Sequence, residues 1–227
     1  MLDTSVPNLA RAYDYLLGGG ASFAADRSLA GRLTALYPRT PDILSFSRTF
    51  LADSVASLVS QGVTQFVDLG SGLPTAPSVH GTALRVSRAA RVVYVDRDPA
   101  VVTHAASLVP ASVRAIEGDL AEPEAVLESL RSYVDFGAPV CLILALVLQV
   151  LDQGIARAVV GVLVRALPPG SYVVITAGAG EAGRLPDAVT PGGFTADDVA
   201  RFFAGLQLVP PGIQSGPALC GVGAKRG

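Results

Sequence analysis

Over the first sixty residues the apolar positions recur at helical spacing. One such run covers 8–17 and is stopped by Gly18-Gly19-Gly20. Two more cover 26–36 and 43–59, separated by Tyr37-Pro38-Arg39-Thr40-Pro41, and Asp42 falls where an N-cap or first-turn acid belongs. Beyond Gly62 the pattern changes. Short, nearly unbroken apolar runs at 64–69, 92–96, 113–117, 140–146 and 172–176 read as strands, and candidate helices lie near 78–88, 99–108, 122–131 and 155–166. Strands without polar alternation, each followed by a helix, belong to a parallel sheet covered on both faces. Pro168-Pro169-Gly170 is a turn feeding the fifth strand. In the tail, 196–205 reads as a helix, and 206–209 and 219–224 as two short strands of a closing antiparallel hairpin. The stretch 178–193 reads as a long loop and a candidate rim for a site. The expected organisation is an N-terminal helical cover over 1–60 on an α/β domain over 61–227, forming one structural unit.

Composition narrows the partners. Half of the 227 residues are apolar and 16% are charged, which suits a folded core, not a disordered chain. The net charge of -2, with scattered Lys and Arg, argues against nucleic acid and against an anionic membrane surface. The longest apolar run, 140–151 between Pro139 and Asp152, is too short to span a bilayer. The N-terminus carries Asp3 and no apolar stretch of the signal-peptide kind, so a cytoplasmic location is expected. Cys141 and Cys220 form no CxxC motif and no Cys/His cluster, so no metal is expected; Cys141, in an apolar run, reads as a buried thiol.

Three strand ends carry candidate chemistry. The first strand ends in Asp68-Leu69-Gly70-Ser71-Gly72, and glycines let a backbone turn sharply and approach a ligand closely. Pro74 and Thr75 follow, so the dinucleotide pattern GxGxxG is absent, and a nicotinamide oxidoreductase is disfavoured. A pyrophosphate needs a helix N-terminus, whereas a sulfonium nucleoside needs room and edge contacts. The second strand ends in Asp96, placed to accept from both ribose hydroxyls. Its spacing from Gly70 predicts a long first helix. Asp98, before Pro99, reads as a plain N-cap. After the third strand, Asp119 is placed to accept from an adenine amino group while Leu120 packs on the ring. Together these point to S-adenosylmethionine as the cofactor.

Through these residues and others along the chain, the sequence resembles the actinobacterial S-adenosylmethionine-dependent methyltransferase-like proteins of the former DUF574 group. The resemblance rests on Ser5-Val6-Pro7-Asn8, Ala10-Arg11, Tyr13-Asp14-Tyr15-Leu16-Leu17-Gly18-Gly19, Asp26-Arg27 and the run from Gln65 through Thr75. It extends through Val79-His80, Arg91-Val92-Val93-Tyr94-Val95-Asp96, Asp98-Pro99, His104-Ala105, the run from Leu167 through Tyr172, and Gly221-Val222-Gly223. It implies a Rossmann-like class I methyltransferase fold: a mostly parallel seven-stranded sheet with an antiparallel C-terminal strand under an N-terminal helical cover. The expected cofactor-binding residues are Arg11, Tyr13, Asp68, Gly70, Ser71, Gly72, Asp96, Arg97, Asp119, Leu120 and Ala145, with Arg11 meeting the donor carboxylate bidentately. Two departures fall on the acceptor side: Leu148-Gln149 stands where a Leu-His pair is expected, and the chain has no tryptophan.

For catalysis the candidates are His80, near the start of the helix after the glycine loop, and Gln149, after the fourth strand. His104 reads as structural. Asp14, Asp26 and Arg27 are open between pocket closure and ordinary helix packing. The expected function is methyl transfer to a small organic acceptor, in secondary metabolism. An alternative, opened by the two departures, is a protein that binds the cofactor or a small molecule without methylating, as a regulatory binder or a repurposed cyclase or isomerase.

Overall fold

Each parallel strand is apolar at nearly every position because helices cover both faces of the sheet. In the computed structural model, which describes residues 3–180 and 193–227, the strands are β1 (Gln65–Leu69), β2 (Arg91–Asp96), β3 (Arg114–Glu117), β4 (Cys141–Ala145), β5 (Tyr172–Gly178), β6 (Gln207–Leu208), β7 (Gln214–Ser215) and β8 (Ala218–Ala224). Their order is β3-β2-β1-β4-β5-β8-β6, with β7 also on β8. The first five are mutually parallel, and β8 runs antiparallel to β5. The two-residue β7 takes the sheet to eight strands, one more than the seven expected; β6 and β8 form the expected antiparallel pair.

The helices are α1 (Leu9–Leu16), α2 (Ala24–Leu36), α3 (Thr40–Ser60), α4 (Val79–Val86), α5 (Pro99–Leu108), α6 (Pro123–Leu130), α7 (Gln153–Ala166) and α8 (Ala196–Phe202). Two core layers divide them. Leu51, Val55 and Leu58 of α3 and Val79 and Ala83 of α4 pack on Phe66, Tyr94, Ile143 and Val174. On the other face α6, α7 and α8 pack on Val67, Leu69, Leu142 and Ile175. Alternation along a strand puts Asp68 on the same face as Phe66, opposite Tyr94 in register. The helices before β1 therefore do not act alike: α3 is a layer on the sheet, while α1 and α2 close a small core of their own around Ala12, Leu29, Ala30 and Leu33.

Two expectations change. The spacing from Gly70 to Asp96 is not a long helix, because α4 has only eight residues. Pro74 and Pro77 keep the chain out of helical conformation until Ser78, whose hydroxyl accepts from Gly81 N–H and starts α4. The rim expected over 178–193 lies largely outside the described residues, since 181–192 are not among them. No helix among the described residues is long and apolar enough to cross a membrane. Both cysteines are free and buried, and no group of metal-ligating side chains occurs among the described residues.

Candidate functional site

In open parallel sheets, ligands bind outside the carboxyl ends of the strands where the strand order reverses. Here that point lies between β1 and β4, and a cavity of about 330 Å³ opens there. Its size is at the lower end of small-molecule sites, which run from about 300 to 1,000 Å³.

The glycine loop forms one wall. Gly70 and Gly72 have φ of +64° and +58°, a region L side chains enter only with strain. A Cβ on Gly70 would lie 2.9 Å from the Val147 Cβ and still nearer its Cγ2. Glycine here brings the loop against the turn after β4 and leaves the space in front of Ser71 open. Ser71 N–H donates to Val95 O at 3.0 Å, which ties the loop to β2.

Asp96 is set before any ligand arrives. Its Oδ2 accepts from Gly72 N–H at 2.9 Å and its Oδ1 from Asp98 N–H at 3.1 Å. Burial raises its carboxyl above the usual range despite these bonds. Asp98 caps α5, accepting from Ala100 N–H, as its sequence position before Pro99 predicts. Arg97, exposed, lines the same wall. Beyond β3, Asp119 is exposed and accepts from Ala121 N–H, while Leu120 is buried; both line the cavity with Gly118 and with Ala145 of β4.

The floor is charged. Asp68 is 3% exposed, and burial pushes its carboxyl up to about 7, with Arg48 of α3 pulling it down and Asp96 pushing it up. Arg48 is half-buried and lines the cavity beside Asp68. Behind them the Ser47 and Thr176 hydroxyls share a buried hydrogen bond of 2.6 Å, which locks α3 over β5. Five carboxylates and two arginines line the cavity: Asp14, Asp68, Asp96, Asp98 and Asp119 against Arg48 and Arg97. Such a wall repels a pyrophosphate and suits a cationic ligand.

The N-terminal cover closes the mouth. Asn8 caps α1, accepting from Arg11 N–H, and its Nδ2 donates to Asp98 Oδ2 at 2.6 Å. Asp14, buried, accepts from the Thr75 hydroxyl and from Ala21 N–H. These bonds tie α1 to the β2–α5 turn and to the segment after the glycine loop. Tyr13 lines the cavity, and burial pushes its phenol up to about 12, so it stays protonated; the Gln149 side chain lies against its hydroxyl.

Three expected residues stand elsewhere. Arg11 does not reach the cavity. It is buried under the cover, with Nε on Asp26 Oδ2 at 2.7 Å, a terminal nitrogen on Val6 O at 3.0 Å, and its guanidinium over the Phe23 ring. Asp26 is fully buried. Burial alone would raise its carboxyl, but bonds from Arg11, Phe23 N–H and Asn8 N–H hold it below the usual range. That pair is the joint of the cover, and it holds the Arg11 guanidinium away from the cavity. His80 sits at the second position of α4, where Nδ1 meets the Tyr94 hydroxyl at 2.9 Å and the rings pack edge to face. Burial lowers its pKa, and it is not a cavity residue. Gln149 is buried in a 3-10 turn, its Oε1 accepting from Gly178 N–H at 2.8 Å; it backs Tyr13 instead of lining the cavity.

Arg48 and Ser47 were not singled out by the sequence. They sit in a long helix with little in its pattern to separate a solvated charge from one turned over the sheet. Leu9, Leu17, Leu44, Leu146, Val147, Val150 and Leu151 form the apolar part of the cavity. Leu146 has a left-handed backbone, with φ of +55°, which is uncommon outside glycine and typical of ligand sites.

The geometry has counterparts. A Thermobifida fusca YX protein assigned as a methyltransferase is 32% identical, with a TM-score of 0.90 over 99% of this chain and 97% of that one. A DUF574 family protein from Streptomyces avermitilis MA-4680 is 28% identical, with a TM-score of 0.87 over 98% and 99%. The magnesium protoporphyrin IX methyltransferase of Synechocystis PCC 6803, solved with S-adenosylhomocysteine (SAH) bound, shares the fold at 14% identity and a TM-score of 0.57, over 94% and 93%. No curated protein matches the chain. The cavity fits S-adenosylmethionine on its own terms: Asp96 is already oriented, and the acidic lining suits a sulfonium. Residues 1–218 match the S-adenosyl methyltransferase family, and the chain belongs to that family.

Proposed function

We propose that the protein transfers the methyl group of S-adenosylmethionine to a small, largely apolar organic acceptor, as a cytosolic enzyme of secondary metabolism. The observation that carries the reading is the cavity between β1 and β4, polar along the glycine loop, Asp96 and Asp119, and apolar along the turn after β4 and the inner face of α1.

When bound, the donor supplies an electrophilic methyl carbon on a positive sulfur. The residues of the chain have four tasks. Asp96, held by Gly72 and Asp98 N–H groups, is placed to accept from the ribose hydroxyls without reorganising. Asp119 and Leu120 hold the adenine edge and face. Leu9, Leu17, Leu44, Leu146 and Val147 exclude water from the acceptor end. Tyr13, protonated and backed by Gln149, is placed to orient a polar atom of the acceptor by donating a hydrogen bond. Displacement on an activated carbon draws much of its rate from alignment, worth up to about 7–11 kcal/mol, so the absence of His80 from the cavity is compatible with transfer. The scattered basic residues and net charge of -2 favour a small acceptor over nucleic acid.

Calorimetric titration with S-adenosylmethionine tests the first half of the reading, beside Asp96→Ala. We expect saturable binding by the natural chain and a loss of at least about tenfold in the variant, which leaves ribose hydroxyls unpaired. SAH formation in an acceptor screen tests the second half. Folded protein that binds no donor would end the reading.

A further inference from the structure

The sheet face under α3 and α4 is only partly covered. Tyr172 of β5 and Val222 and Ala224 of β8 point to this face, while Gly221 and Gly223 lie against Phe203 on the other. α3 runs beside β5 and β8, and no helix among the described residues packs on this face beyond it. A groove of about 660 Å³ is left there. Phe46 and Phe50 of α3 form its wall, and Tyr172, Val222 and Ala224 its floor. It is distinct from the donor cavity, which α3 borders through Leu44, Ser47 and Arg48.

Three features say what the groove accepts. The exposed row of α3 beside it is Ser45, Thr49, Asp53, Ser57 and Ser60, without one Lys, Arg or Glu. A solvated helix face ordinarily carries long charged side chains, and interfaces are depleted in Lys and Glu. Short side chains also let a second helix approach to about 8 Å. The charges of the groove are split between its sides: Asp53 on α3, and Lys225 and Arg226 at the end of β8. None of the three is in an ion pair among the described residues. A surface with both signs set apart complements a copy of itself, because a two-fold rotation brings each acid to the other copy's bases. The neighbouring sheet edge is closed to strand addition: β6 has two residues, and Pro210 and Pro211 after it offer no N–H donor. A partner therefore meets the face and not the edge.

We propose that the groove is filled by α3 of a second copy of this chain, in a two-fold dimer with Asp53 of each copy facing Lys225 and Arg226 of the other. The 21 residues of α3 extend about 31 Å. With the open strands beside it the face is about 20 Å wide, which makes on the order of 600 Å² a side. The total, about 1,200 Å², stands at the lower limit of specific interfaces, so the dimer is reversible and micromolar.

Sedimentation velocity between about 1 and 200 µM tests this. The mass of the natural chain should rise from 23.2 kDa towards twice that value. Thr49→Arg, on an exposed position outside the donor cavity, should leave only monomer, because a long charged side chain stands in the helix contact. Asp53→Lys should weaken association about tenfold, since the repulsion acts twice across the axis. Adding Lys225→Glu and Arg226→Glu to Asp53→Lys should restore it, a recovery that a contact elsewhere on the surface would not give. Circular dichroism melts at low concentration check that each variant is folded. A natural chain that stays monomeric throughout would overturn the proposal, and native mass spectrometry would then show whether a small molecule fills the groove instead. A dimer indifferent to Thr49→Arg and to the charge exchange would overturn it as well, by placing the interface on another face.

Discussion

Gly70 is where local conformation and tertiary contact can be separated by mutation. Its φ of +64° alone makes alanine costly, by about 1–2 kcal/mol. A new methyl would also lie 2.9 Å from the Val147 Cβ and nearer still to its Cγ2, so the loop or the turn after β4 must move. Overpacking of that kind costs about 1–3 kcal/mol. Gly70→Ala should therefore destabilise by about 2–5 kcal/mol, on the order of 10 °C in Tm for a chain of this size. Gly62→Ala is the control: φ is +94°, and nothing lies within 4 Å of its Cβ, so only the conformational cost applies. Urea denaturation followed by circular dichroism supplies both values. Adding Val147→Ala to Gly70→Ala should recover about 1–2 kcal/mol by removing the Cγ atoms, and no more, because the strain and the Cβ contact remain. If Gly70→Ala costs no more than Gly62→Ala, or if the Val147 change adds to the damage, the close packing of the loop on the β4 turn is refuted as the reason for glycine.

Arg11→Met should leave the buried Asp26 without its cation, holding only the Asn8 and Phe23 N–H bonds, at a cost of about 3–5 kcal/mol in a denaturant titration, with the donor affinity of the remaining folded protein little changed. A selective loss of donor affinity at full stability would return Arg11 to the site. Asn8→Ala removes both the cap of α1 and the 2.6 Å bond to Asp98; stability should fall by about 1 kcal/mol, and the donor should dissociate faster in stopped flow. Asp68, raised to about 7 when folded and ordinary when unfolded, binds more protons in the folded chain between these values. Its contribution is thus full below the unfolded pKa and is lost as pH rises through about 7. The groups around it are Arg48 on α3, Asp96 and Tyr94 on β2, and Cys141 on β4. Asp68→Asn should flatten that slope, making the ligand-free variant relatively more stable at pH 8 than at pH 5; an unchanged stability profile would refute the assignment.

Much of the fold and part of the site could be read along the chain. Every strand from β1 to β5 lay within a few residues of its apolar run, because burial on both faces leaves no polar alternation to confuse the reading. The strand-end residues Asp68, Gly70, Gly72, Asp96, Asp119 and Leu120 converge for the same reason: parallel strands deliver their carboxyl ends to one edge, so position along a strand predicts position in space. Asp98 was legible as a cap because capping is a matter of the next two residues.

Helical residues obeyed no such rule. Whether Arg11 or Arg48 faces a ligand depends on how each helix is rotated and docked, and that is decided by distant partners. Asp26, fifteen residues on, captures Arg11; Thr176, on a strand far along the chain, fixes the turn of α3 that presents Arg48. His80 follows the same logic, turned to Tyr94 on the strand beneath α4. The sequence by itself determined the layers, the strand edge and the glycine loop, since these follow from local periodicity and backbone conformation. Only the tertiary structure decided which charges reach the cavity, because a charged side chain takes the partner that best offsets its desolvation, and that partner is set by packing between elements.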